Sequence, residues 1–129
     1  MVERFGLTPA EVAVVCASHR AERRHRDAVA AILRRIDAEE ADLRCGPHDV
    51  PDESSRLELV LSGRQPGRIY SNCSGKHAGM LALARVLDAP LQGYWLPEHP
   101  VQRAVQGVLA AACSASLDSL AWGLDGCGV

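Results

Sequence analysis

Apolar positions recur along this chain at three- and four-residue intervals far more often than at every second residue, so the pattern predicts helices over most of its length. Thr8-Pro9-Ala10-Glu11 combines a capping-box pattern with proline at the first helical position, and a helix carrying Val12, Val14 and Val15 begins there before running into Cys16-Ala17-Ser18-His19. A second helix, over residues 23 to 36, places Val29, Ile32, Leu33 and Ile36 on one stripe facing a core. Asp37 to Glu40 offers another cap, and a short helical turn ends near Cys45-Gly46-Pro47. The Pro, Asp and Ser content of residues 46 to 55 marks a loop, followed by a helix through Leu57, Val60 and Leu61 that Gly63 stops. Arg68-Ile69-Tyr70-Ser71 predicts a short strand, and the turn at 72 to 75 feeds a helix with the stripe Met80, Leu83, Ala84 and Leu87, which Pro90 ends. Beyond a rigid connector at 95 to 100, a helix runs through Val101, Val105, Val108, Leu109 and Ala112. Ala121-Trp122-Gly123-Leu124 predicts a second strand, and Asp125-Gly126-Cys127-Gly128 a tight glycine turn.

A length of 129 residues suits one domain with a modest core, and 47% hydrophobic with 23% charged residues excludes a disordered or fibrous chain. The net charge of -2 leaves no cation excess to displace counterions from phosphates, and the basic run at 20 to 26 is broken by Glu22, so it predicts a solvated helix face and no nucleic-acid partner. No 18-residue apolar run and no signal architecture occur, which predicts no membrane partner and a cytoplasmic location. Five cysteines without a secretory signal argue for buried thiols, metal ligands or reactive groups over a disulfide framework. Thirteen of the 14 basic residues are arginine, and the single lysine is Lys76. Lysine retained against that bias points to a task guanidinium cannot do, since an amine can lose its proton when desolvated or metal-bound.

The densest polar constellation is Asn72-Cys73-Ser74-Gly75-Lys76-His77, at the start of an apolar-striped helix. Helix N-termini favour a thiolate or a bound anion, and the three- and four-residue spacings put Cys73, Lys76 and His77 on one side. A phosphate loop fits poorly, because Gly75-Lys76 is followed by His77 and not by Ser or Thr and no earlier glycine lies at the required spacing. For Cys73 or Lys76 alone, a buried cysteine beside a solvated lysine is the ordinary reading; the crowding of cysteine, lysine, histidine and glycine weakens it. Cys113 follows an alanine-rich run and reads as a small buried hydrophobe, and His25, His48 and His99 as surface or capping residues.

The eleven residues Ser71-Asn72-Cys73-Ser74-Gly75-Lys76-His77-Ala78-Gly79-Met80-Leu81 closely resemble the signature of the bacterial asparaginase II family, the rhizobial-type L-asparaginases. Arg4-Phe5-Gly6-Leu7-Thr8, Cys16-Ala17-Ser18-His19, Leu43-Arg44-Cys45-Gly46-Pro47-His48, His99-Pro100-Val101-Gln102 and Asp125-Gly126-Cys127-Gly128 resemble further family blocks in family order, so the resemblance spans essentially the whole chain. It implies hydrolysis of L-asparagine to aspartate and ammonia, an α+β, helix-rich fold similar to the serine β-lactamases and penicillin-binding proteins, and a homodimer. It implies zinc near the active site, held by Cys73, Lys76 and Cys127, which suits soft thiolates joined by a deprotonated amine. It implies that Ser18 is a catalytic serine relaying protons, with His77, Asp125, Asn72 and His19 binding substrate or supporting these groups.

The family's nucleophile lies in an upstream Ser-x-x-Lys element, which this sequence lacks, together with a further downstream lysine. Residues 1 to 129 are therefore expected to form a single partial domain, the central part of an asparaginase II-type domain, and a turn between glycines at the end points to truncation. Where the family continues Ser-His with Ser-Gly-Glu, this chain has Arg20-Ala21-Glu22. Three functions remain: a partial or truncated asparaginase, implied by the resemblance, whose activity would need the missing segments; a Cys-dependent amidohydrolase with Cys73 as nucleophile and Lys76 as base; or a non-catalytic zinc-binding or interaction fragment.

Overall fold

A computed structural model describes residues 1–46 and 49–123. In order these form α1 (Val2–Phe5), α2 (Pro9–Cys16), α3 (Arg23–Arg35), a 3₁₀ turn (Glu40–Asp42), α4 (Glu53–Ser62), a second 3₁₀ turn (Arg68–Tyr70), α5 (Ser74–Val86), α6 (Pro100–Ala112) and a third 3₁₀ turn (Leu117–Ser119). Several boundaries lie where local chemistry predicts them. Thr8 Oγ1 accepts from the Glu11 N–H, the Glu11 carboxylate accepts from the Thr8 N–H, and Pro9 opens α2. Gly63 ends α4 in the left-handed conformation, with φ 64°. His99 caps α6, its side chain accepting from the Val101 N–H ahead of Pro100.

The capping box has a second task, because Glu11 is buried and also receives the Arg35 guanidinium from the end of α3. Burial pushes its carboxyl up, yet the Thr8 hydrogen bonds and Arg35 together hold it below the ordinary carboxylate value. The α3 stripe of Val29, Ile32, Leu33 and Ile36 is buried as its spacing predicts. Arg85 of α5 donates to the carbonyls of Ile36 and Asp37, at 2.9 and 2.7 Å, which satisfies the C-terminal end of α3.

α5 is the central element, packing on α2, α3 and α6. It buries Ala78, Leu81, Ala82 and Ala84, whereas Leu87 of the predicted stripe is exposed and Met80 and Leu83 are partly buried. A helix covered on several sides carries no single apolar stripe, and small residues replace it. Gly75 and Gly79, one turn apart, form the seam with α2: a Cβ on Gly75 would fall on the Val14 carbonyl oxygen, and one on Gly79 would meet a methyl of Val15.

The α+β expectation is corrected by this architecture, because no strand occurs among the described residues. At Arg68-Ile69-Tyr70-Ser71 the chain makes a 3₁₀ turn. Its donors are satisfied locally, Ile69 N–H by the Glu40 carboxylate at 3.0 Å and Tyr70 N–H by the Gly67 carbonyl at 3.1 Å, so nothing calls for a neighbouring strand. Residues 121–123 are irregular, and Leu124 lies outside the described residues. Layers of helix on helix replace the expected β-lactamase-like fold, which nothing in the structure supports. The apolar residues Leu57, Val60 and Leu61 of α4 are exposed, and Ser55 and Leu59 face inward. Cys113, expected in the core, is exposed as well. Among the described residues no helix is long and apolar enough to cross a membrane.

Candidate functional site at the junction of α2 and α5

The close glycine seam holds the chain that follows α2 against the start of α5. There the His19 N–H donates to the Asn72 carbonyl at 3.0 Å, and the Lys76 ammonium group reaches the Ser18 hydroxyl at 2.9 Å. The expected serine and the single lysine therefore meet, although 58 positions separate them. Ser18 is exposed and Lys76 half-buried, and among the described residues no carboxylate forms an ion pair with Lys76.

His19 is locked between these elements. Its Nδ1 accepts from the Ala21 N–H at 3.0 Å, and its Nε2 lies 3.2 Å from Ser74 Oγ, which donates to the Ile69 carbonyl. Nε2 also accepts from the Gly75 N–H at 3.4 Å, so both ring nitrogens face backbone donors, an arrangement that suits the neutral ring. Burial, reinforced by the neighbouring His25 and Lys76, pushes the imidazole down to about 4. The His25 ring stands 5.1 Å from His19, and its Nδ1 is buried without a hydrogen-bond partner.

Ala21 bends the chain sharply here. Its φ is 57°, in the left-handed region that costs any residue other than glycine, and it is fully buried. The Arg26 guanidinium holds its carbonyl at 2.6 Å.

Beside this corner lies an open cavity of about 480 Å³, lined by Ala17, Ser18, His19 and His25 together with the charged Arg20, Glu22 and Arg24. Cys73 and His77 do not line it. They face inward instead: Cys45, Cys73 and His77 are all buried, with their ligand atoms within 4.8 Å of one another. The Ser71 hydroxyl is 3.1 Å from Cys73 Sγ, and His77 Nδ1 is 2.6 Å from the Tyr94 hydroxyl. Cys45 and Tyr94 were not marked for this role, and only the cysteine's place in a family block offered a signal. Asp125 and Cys127, along with His48, lie outside the described residues.

The donor chemistry at Cys73 fits zinc, since a buried thiol with a second thiol and an imidazole near it forms a soft, nitrogen- and sulfur-rich set. Lys76 points its amine at Ser18.

A hydroxyl held by an amine at the rim of an open cavity is the arrangement that serine–lysine hydrolases use. The profile of the family described as L-asparaginase II matches residues 1–129, and the chain belongs to that family. No curated protein matches the chain.

Proposed function

We propose that the protein hydrolyses the side-chain amide of L-asparagine to L-aspartate and ammonia, with Ser18, which lines the cavity, and Lys76, hydrogen-bonded to it, as the reacting groups. The observation that carries this reading is the 2.9 Å contact between Lys76 Nζ and Ser18 Oγ, within a chain of the asparaginase II family. In this reading Ser18 takes the part of the nucleophile that the family resemblance assigns to a Ser-x-x-Lys element absent from this sequence. The amine in its neutral form accepts the hydroxyl proton as Ser18 Oγ adds to the amide carbon, then delivers it to the departing nitrogen. Ammonia leaves an aspartyl ester on Ser18, and water cleaves the ester, releasing aspartate and restoring the hydroxyl. Arg20 and Arg24 suit the α-carboxylate of the substrate, and Glu22 its α-ammonium group.

Zinc, when bound, supplies a charge that keeps thiols deprotonated and stiffens the start of α5. Of the set implied by the family resemblance, Cys73 has the surroundings of a ligand. Lys76 has one lone pair, and its contact with Ser18 supports the role of base. The thiol-nucleophile reading is weaker, because buried Cys73 faces away from the cavity.

Ammonia release from L-asparagine tests the reading. Ser18→Ala and Lys76→Met are each expected to lower kcat by about 100-fold or more with KM changed far less. Absence of ammonia release by the wild-type chain, or full activity in Ser18→Ala, overturns it.

A further inference from the structure

We infer that a small cavity between the first two 3₁₀ turns and the connector from α5 to α6 binds an acidic α-amino acid, a molecule with two carboxylates and one ammonium group. That binding stands apart from the amide hydrolysis proposed above, and either can hold without the other.

The cavity measures about 250 Å³ and shares no lining residue with the one beside Ser18. Sites for drug-sized molecules run to roughly 300–1,000 Å³, so this one suits a smaller ligand. Its wall brings together three segments distant in sequence: Asp42 and Arg44, then Arg68, then Gln92 and Trp95.

Both guanidinium groups are held before any ligand arrives. Arg68 Nη1 donates to the Ala41 and Leu43 carbonyls, at 2.7 and 2.5 Å, which limits rotation of the group. Its Nε and Nη2 make no hydrogen bond among the described residues. The Arg44 guanidinium lies over the Trp95 ring, 5.1 Å from its centroid. The backbone at Arg44 is anchored as well, since its N–H donates to the Tyr94 hydroxyl at 2.7 Å. Among the described residues neither arginine forms an ion pair. A planar fork already fixed in orientation matches a carboxylate with two parallel hydrogen bonds and loses little freedom in making them.

Charge then selects the ligand. Two cations, Arg44 and Arg68, share the wall with one anion, Asp42, which leaves an excess of one positive charge. Asp42 accepts from the Glu39 N–H through Oδ2 at 2.8 Å, so Oδ1 remains to receive an ammonium group. Glu40 does not line the cavity, and its carboxylate accepts from the Ile69 N–H. An α-amino dicarboxylate is the counterpart of this set, with a carboxylate for each arginine, an ammonium group for Asp42 and one net negative charge. A plain dicarboxylate gives Asp42 no partner, a neutral amino acid leaves one arginine unmatched, and an inorganic anion faces Asp42 with like charge. L-Aspartate is the simplest molecule of the class.

Trp95 supplies the reporter. In the Trp122→Phe chain it is the only tryptophan, and titration with L-aspartate is expected to change its emission saturably, with one site and a Kd at or below about 1 mM. Succinate, L-alanine and sulfate are each expected to bind at least about 10-fold more weakly. Calorimetry measures the same constant in the variants. Arg44→Gln and Arg68→Gln are each expected to weaken aspartate binding about 10-fold or more, and Arg44→Gln with the ligand series decides the matter if Arg68→Gln fails to fold. Asp42→Asn is expected to lose the preference for aspartate over succinate, a change that general destabilisation does not produce. The double variant Arg20→Gln with Arg24→Gln, altered in the Ser18 cavity, is expected to bind as wild type. Absence of a saturable change, equal binding of succinate or sulfate, wild-type affinity in Arg44→Gln, or loss of binding in the Arg20 and Arg24 double variant overturns the inference.

Discussion

The carbonyl oxygen of Val14 in α2 occupies the space that a Cβ on Gly75 in α5 would need. Because that oxygen belongs to the helix backbone, it cannot rotate aside, and the separation of the two helices is set by the absent side chain. This contact holds Ser18, two residues beyond α2, within reach of Lys76, one residue beyond Gly75. Gly75→Ala is accordingly expected to destabilise the fold by about 3 kcal/mol or more, since it overpacks against atoms that cannot yield. Gly79→Ala meets a valine side chain that can turn, and a gain in helix propensity of about 1 kcal/mol offsets part of its cost. Urea unfolding of the two variants should therefore separate them clearly; equal losses would show that the seam is not set at Gly75.

Acidification should weaken the fold through His19. The unfolded imidazole takes a proton near 6.5 and the folded one near 4, so between these values the unfolded chain holds more protons and stability falls as pH drops. Above pH 6.5 this contribution is fully present and flat. His19→Gln removes the group, and its stability profile is expected to be flatter through the same window. An unchanged slope in that variant would place the titration elsewhere.

Ala21 should respond to substitution unlike any other buried alanine. Ala21→Gly relieves a left-handed strain of about 1 kcal/mol and gives up about 0.8 kcal/mol of buried methyl, for a net effect near zero. Ala82→Gly, at a fully buried helical position, loses the methyl and about 1 kcal/mol of helix propensity with no compensation. Denaturation midpoints of the two variants compare the positions directly, and an Ala21→Gly loss as large as that of Ala82→Gly would mean that the corner is unstrained.

Glu11 links the start of α2 to the end of α3. Glu11→Gln keeps the size of the side chain but replaces charge-assisted hydrogen bonds to Thr8 and Arg35, which should cost about 2 kcal/mol at neutral pH. The folded carboxyl titrates below its unfolded value of 4.5, so the stability it adds is present above that value and disappears as pH falls through the folded one. The gap between variant and wild type should narrow accordingly in acid, and a constant gap would assign the loss to packing.

Helix limits were legible in the sequence wherever a local device sets them. The Thr8 box and Gly63 act through backbone groups a few residues away and appear where their patterns predict, whereas Pro100, expected in a connector, opens α6 with His99 as its cap. The α3 stripe was legible because that helix has one buried face. The stripe expected for α5 was not, since a helix enclosed by neighbours needs small residues at close approaches more than large ones on one side. The predicted strand at 68 to 71 failed for a related reason: an extended apolar stretch becomes a strand only when another strand meets it, and Glu40 and Gly67 supply its hydrogen bonds here.

Within the site, residue identity and spacing made Cys73, Lys76 and His77 visible as candidates, whereas Ser18 and His19 entered only through the family resemblance. Cys45 and Tyr94 carried no comparable signal. What the sequence determined by itself was where helices start and stop and which side chains could do chemistry, because both follow from groups close together along the chain. Only the tertiary structure decided that Lys76 meets Ser18 and that Cys45 meets Cys73 and His77. Those encounters depend on how closely α2 and α5 approach, and packing between distant segments leaves no period in the sequence to read.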